Sequence, residues 1–119
     1  MVKRKTKPLL PSLRERKRYL AYEIISEQRF YDAVEISKAI SDAAKEFLGA
    51  LLTAKAGILT LDDQFNSNLQ KGILRVNHKR LDDLKSSLIF IKKIKESDVI
   101  VRSIGASGIL KKTKEKYLN

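Results

Sequence analysis

The chain has no cysteine, no tryptophan and a single histidine, His78, among its 119 residues. Without cysteine there is no disulfide framework and no thiolate chemistry, and one imidazole by itself excludes the usual zinc sites. Only two prolines occur, Pro8 and Pro11, both close to the start. No apolar run approaches the roughly 20 residues that a membrane span requires. The basic start is not followed by an apolar core of the secretory kind. A soluble cytoplasmic protein with no membrane association is therefore expected. Catalytic signatures are missing too. There is no P-loop, no dinucleotide fingerprint and no catalytic triad, and Ile109 stands two residues after Ser107 where a nucleophile elbow needs glycine.

What the chain does have is positive charge, +11 in all, and its surplus sits at the two ends. Residues 1–18 hold eight Lys/Arg against Glu15 alone, and residues 102–119 hold five against Glu115 alone. The stretch between them balances at 12 basic and 12 acidic residues. A neutral middle with cationic ends suits a nucleic-acid binder, because each phosphate neutralised by Lys or Arg releases condensed counterions. A solubilised domain with basic tails has the same charge pattern.

Hydrophobic periodicity divides the chain into elements. Residues 1–13 carry charge and both prolines without any period, and read as an extended basic arm ahead of one domain over 14–119. Residues 18–26 alternate, with Leu20, Tyr22 and Ile24 on one face and Tyr19, Ala21 and Glu23 on the other, which predicts a strand. Over 32–52 the period becomes helical, with Ile36, Ile40, Ala43, Phe47 and Leu51 as the apolar stripe. Two strands are expected over 57–65 and 71–78, joined by a turn at Asn66-Ser67-Asn68. A second helix over 79–93 carries Leu81, Leu84, Leu88 and Ile91, followed by a strand over 98–104 and a short helix over 109–118. The order β-α-β-β-α-β plus a final helix predicts an α+β fold of the ferredoxin-like, RNA-recognition-motif-like class, with two helices on one face of a four-stranded antiparallel sheet. Right-handed crossovers give strand order 4-1-3-2. That order places the start of strand 1 beside the ends of strands 3 and 4, so the two basic ends become one patch.

Individual motifs point the same way with alternatives attached. Lys71-Gly72-Ile73-Leu74-Arg75-Val76-Asn77-His78 matches the RNA-recognition-motif octamer at Lys71, Gly72 and Val76, but its three aromatic positions are Ile73, Arg75 and His78. Base stacking on that strand is poorly supported, and an ordinary strand fits as well; the open face is expected to show Ile73 and Arg75. Gly105, Ser107 and Gly108, leading into a helix with Lys111 and Lys112 in its first turns, could hold a phosphate on backbone N–H groups or simply form a tight turn. Asp62/Asp63 and Asp82/Asp83 are sequence neighbours whose side chains diverge, so neither pair makes a metal site by itself. His78 has no local acid partner and reads as a strand-end polar or RNA-facing residue rather than a base.

Read together, several stretches resemble the archaeal ribonuclease P protein component 2 family. They are Leu10-Pro11-Ser12-Leu13-Arg14, Lys17-Arg18-Tyr19-Leu20-Ala21, Phe47-Leu48-Gly49, Thr53-Ala54-Lys55-Ala56-Gly57, Gly72 through His78, and Val99 through Lys112. Leu10 stands where the family often has a second proline, and Val76 where cysteine is common; residues 1–8 extend beyond the pattern. The resemblance implies an RNA-recognition-motif-like fold and a protein subunit of ribonuclease P, which removes the 5′ leader of precursor tRNA. It implies that catalysis and its magnesium ions belong to the RNA subunit, with no cofactor bound by this chain. It also implies a TIM-barrel-fold protein partner in a two-plus-two heterotetramer.

The candidate RNA contacts are Arg14, Arg16, Lys17, Arg18, Arg75, Lys79, Arg80, Lys111 and Lys112, with Gly105, Ser107 and Gly108 as a phosphate cradle. No catalytic or metal-ligating residue is expected. A ribosomal or RNA-chaperone-like protein is the nearest alternative, and a small ferredoxin-like enzyme or ligand-binding regulatory domain the more distant one. The last would need an independent pocket with convergent polar groups.

Overall fold

The computed structural model describes residues 16–118. Alternation decides the first element: β1 (Lys17–Ile25) buries Leu20, Tyr22 and Ile24 on one face, as its pattern predicts. Helix α1 (Ala33–Ala56) starts where the Asp32 carboxylate accepts the Val34 N–H at 2.9 Å, an N-cap that satisfies one of the helix's free donors. Then follow β2 (Leu59–Thr60), β3 (Lys71–Asn77), α2 (Leu81–Ile89), a small hairpin of β4 (Lys93–Ile94) and β5 (Ser97–Asp98), β6 (Ile100–Ser107) and α3 (Leu110–Tyr117).

The main sheet has the order β2-β3-β1-β6 with antiparallel pairing throughout. This is the 4-1-3-2 order expected of the ferredoxin-like class, with β6 as its fourth strand. Helices α1 and α2 contribute Ile36, Ile40, Leu84 and Leu88 to a core shared with Leu20, Ile24, Leu74 and Val76. The Tyr22 ring lies over Gly72, the residue opposite it in β3, where a Cβ would overlap the ring. Burial, with a smaller contribution from Asp62, raises the Tyr22 phenol pKa well above its ordinary value.

Four expectations change. The α1 stripe stops short: Ile36, Ile40 and Ala43 are buried, but Phe47 is 43 % and Leu51 68 % exposed. The helix breaks at Gly49, whose φ of 81° and ψ of 163° lie outside the helical region and suit glycine. Phe47 packs instead on Phe90, with ring centroids 4.8 Å apart. The strand expected over 57–65 is reduced to β2, because the chain turns into a 3-10 turn at Asp62–Gln64 whose Asp62 accepts the Ser37 hydroxyl of α1. The turn at Asn66 forms as expected, its side-chain oxygen taking the N–H groups of Asn68 and Leu69.

Helix α2 is shorter than expected and β6 starts later. Ile91, Ile94 and Val99 are all buried, and sinking them into the core draws the intervening chain into the β4–β5 hairpin. The fourth change concerns the sheet's second face. Ile73 is buried to 1 % exposure rather than open, because α3 packs across β1 and β6 on that side. Tyr117 occupies the space that a Cβ on Gly105 would need, so glycine is what lets the helix lie this close. No helix among the described residues is long and apolar enough to cross a membrane.

Candidate nucleic-acid interface

The antiparallel register assembles the site. Lys17 pairs with Asn77 and Tyr19 with both Arg75 and Ser107, so the start of β1 meets the ends of β3 and β6. Beyond the paired residues the ladder continues one step, with the His78 N–H donating to the Arg16 carbonyl at 2.8 Å. His78 Nδ1 sits 3.2 Å from the Arg16 amide nitrogen, so this imidazole faces the Arg16 backbone. Lys79 and Arg80 follow at once in a 3-10 turn, His78–Arg80.

On the other flank the Arg18 guanidinium lies against Gly108, its Nη1 2.8 Å from where a Cβ would stand. Ser107 accepts the Ile109 N–H at 3.2 Å and shapes the entry to α3. Lys111 and Lys112 are both exposed in that helix's first turn. Residues from three separate stretches thus share one end of the sheet, as the strand order predicts.

Most of these cations have no carboxylate partner among the described residues; Arg80 is the exception, 3.4 Å from Asp83. Arg14 lies outside the described residues, as does the arm over 1–13. Lys17 is placed but not idle. Its ammonium donates to the Asn77 side-chain oxygen, while Asn77 Nδ2 donates to the Lys55 carbonyl at 2.7 Å. Asn77, only 5 % exposed, therefore ties the last turn of α1 to the basic end. Nothing in the sequence marks Asn77: its place opposite Lys17 and its reach to Lys55 are both set by the folded register. Arg75 is half-buried, and its Nε has no hydrogen-bond partner among the described residues.

The expected phosphate cradle narrows. Gly105 lies inside β6 opposite Ala21, under the Tyr117 ring, and does not belong to the turn. Ser107 and Gly108 alone stand at the α3 entry. No group of three or more His, Cys, Asp or Glu that could hold a metal ion occurs among the described residues. The site can neutralise and position an anion.

A family profile described as the Rpp14/Pop5 family matches residues 18–118. The chain belongs to the Rpp14/Pop5 family. Rpp14/Pop5 relatives named ribonuclease P protein component 2 include one from Thermococcus gammatolerans, 38 % identical over 117 residues that cover 98 % of this chain and 95 % of the relative. One from Pyrococcus furiosus is 37 % identical, covering 95 % and 92 %. One from Methanocaldococcus jannaschii is 36 % identical, covering 94 % and 80 %. Among solved structures, a chain in the cryo-EM structure of yeast ribonuclease MRP matches with a TM-score of 0.62 at 17 % identity, over 79 % of this chain and 75 % of that one. At that identity the likeness is one of fold.

Proposed function

We propose that this chain is a protein subunit of ribonuclease P that binds the catalytic RNA and holds it in the shape that removes 5′ leaders from precursor tRNA. The observation that carries the reading is the gathering of Arg16, Lys17, Arg18, Lys79, Lys111 and Lys112 at one end of the sheet, in a chain of the Rpp14/Pop5 family. Cations left without carboxylate partners are available to phosphates, and their number sets the salt dependence of binding. Cutting belongs to the RNA and its magnesium ions, with the protein screening phosphates. Ser107 and Gly108 add backbone N–H groups at the start of α3, where a phosphate is favoured.

The partner in this reading is a TIM-barrel-fold protein subunit, in an assembly with two copies of each chain. Phe47 and Phe90, in tilted contact with each other and both exposed, support a protein contact on the helical side. Reconstitution tests the proposal. Cognate RNA and the TIM-barrel subunit are assembled with and without this chain, and precursor-tRNA cleavage is followed at limiting magnesium. Cleavage should require the chain. Unchanged cleavage without it, or RNA hydrolysis by the purified chain alone, overturns the reading.

A further inference from the structure

Strand alternation puts Lys17, Tyr19 and Ala21 on the face of the sheet opposite the helical core, together with Ile73 and Arg75 of β3. Two rows of that face differ in cover. In the row Ile73–Ala21–Gly105, Ala21 is 0 % and Ile73 1 % exposed, and the Tyr117 ring closes over Gly105. In the neighbouring row Leu59–Arg75–Tyr19–Ser107, Leu59 is 44 % exposed and the other three are half-buried. Helix α3 thus seals one row and leaves the next only partly covered, and this more open row is the one beside Arg16, Lys17 and Arg18.

Tyr19 stands in the middle of this open row. Among the described residues its hydroxyl makes no hydrogen bond, and the Arg75 guanidinium across the strand pair is bound to no carboxylate. An aromatic ring next to an untethered guanidinium, bordered by cations that can take the flanking phosphates, is the combination that holds an unpaired nucleobase. The octamer on β3 lacks its aromatics, yet the sheet still offers one, supplied from β1.

We infer that Tyr19 and Arg75 form a stacking site for one unpaired nucleobase of RNA, on the open row of the sheet beside the phosphate-binding end. This inference rests on the RNA-binding reading above and adds to it a preference for single-stranded over duplex RNA. The cations supply salt-dependent affinity to either form; only the ring tells them apart.

The test uses the full chain with an oligouridylate about ten nucleotides long and a duplex of equal length as probes. Tyr19→Leu should weaken oligouridylate binding about tenfold with the salt slope unchanged, and leave duplex binding as it was. Tyr19→Phe should bind like the parent. Because the chain has no tryptophan, Tyr19→Trp gives a single reporter whose emission should be quenched by oligouridylate and not by polyphosphate. Thermal melting confirms that each variant is folded, and Tyr19→Trp reports on the ring's surroundings even if Tyr19→Leu is not. Equal binding by Tyr19→Leu and the parent, equal losses on both probes, or quenching by polyphosphate overturns the stacking site. Steeply salt-dependent duplex binding without oligouridylate binding removes the stacking site alone, whereas a parent that binds neither probe removes the RNA-binding reading with it.

Discussion

At the two ends of the same sheet, lysine and arginine do different work. Where β1 ends and β6 begins, three cations are matched, Lys95 with Glu35, Arg102 with Glu23 at 2.7 Å and Lys93 with Asp98 at 3.9 Å, while Lys71 and Lys92 have no carboxylate partner among the described residues. The Glu35 carboxylate, by hydrogen bond first and charge second, raises the Lys95 pKa. These pairs fasten a hairpin to a helix and one strand to its neighbour. Where β1 begins and β3 and β6 end, Arg16, Arg18, Lys79, Lys111 and Lys112 have no carboxylate opposite them among the described residues. Net charge alone does not separate the two ends; they differ in how many of their cations the fold has already neutralised. A polyanion gains from the unmatched set and gains little from the matched one, whose partners it would have to displace.

The largest effect should come from removing the unmatched cations. Arg16→Gln, Lys17→Gln and Arg18→Gln together should lower RNA affinity about a hundredfold near physiological salt and flatten the salt dependence by about three charges. The triple variant Lys93→Gln, Lys95→Gln and Arg102→Gln removes as much formal charge from the other end and should leave RNA affinity within about threefold. Filter-binding titrations across a salt series measure both. Equal losses from the two variants would mean that charge acts through the whole field of the protein and not through one end.

A second variant tests what seals one row of the open face. Gly105→Val places a branched side chain where the Tyr117 ring lies. Overpacking of that kind costs about 2 kcal/mol, read as a lower urea midpoint with an unchanged slope. If α3 is only loosely applied, the midpoint stays put, and the contrast between the sealed row and the open row weakens.

The fold was legible in the sequence to the extent that it depends on period. The alternation at Leu20, Tyr22 and Ile24 and the helical spacing of Ile36 and Ile40 survive in the core because burial on one face enforces them. The convergence of the basic ends followed from strand order alone. What escaped depends on contacts between distant residues. Nothing local says that the stripe through Phe47 and Leu51 outruns the sheet, or that Tyr117 returns to cover Gly105. Ile73 looked like an open-face residue because alternation assigns a face and says nothing about what covers it. The same limit concealed Asn77, whose amide joins Lys17 to a carbonyl 22 positions away in sequence.

That amide supplies the next variant. Asn77→Ala should cost about 1–2 kcal/mol, because the Lys55 carbonyl loses its donor in a part-buried place. It should also release Lys17, so RNA affinity changes less than stability does. Chemical denaturation and RNA titration of one preparation separate the two. A loss of affinity as large as that from removing Lys17 itself would make Asn77 part of the RNA contact rather than a tie between α1 and the sheet.

Arg102→Gln should do least. The Arg102 guanidinium reaches Glu23, its cross-strand neighbour, through both Nε and Nη2 at 2.7 Å, which is good geometry. Its side chain is nevertheless 62 % exposed, so water and salt screen the pair, and exposed pairs of this kind contribute less than about 1 kcal/mol. The stability difference between Arg102→Gln and the parent should shrink further as salt is raised, while RNA affinity stays within about twofold of the parent at every salt concentration. Arg18→Gln is the informative counterpart: the same change of charge at the opposite end of the sheet should lower the salt slope by about 1. If Arg102→Gln lowers that slope as much as Arg18→Gln does, the Glu23 pair opens when RNA binds, and the footprint extends along β6 from one end of the sheet to the other.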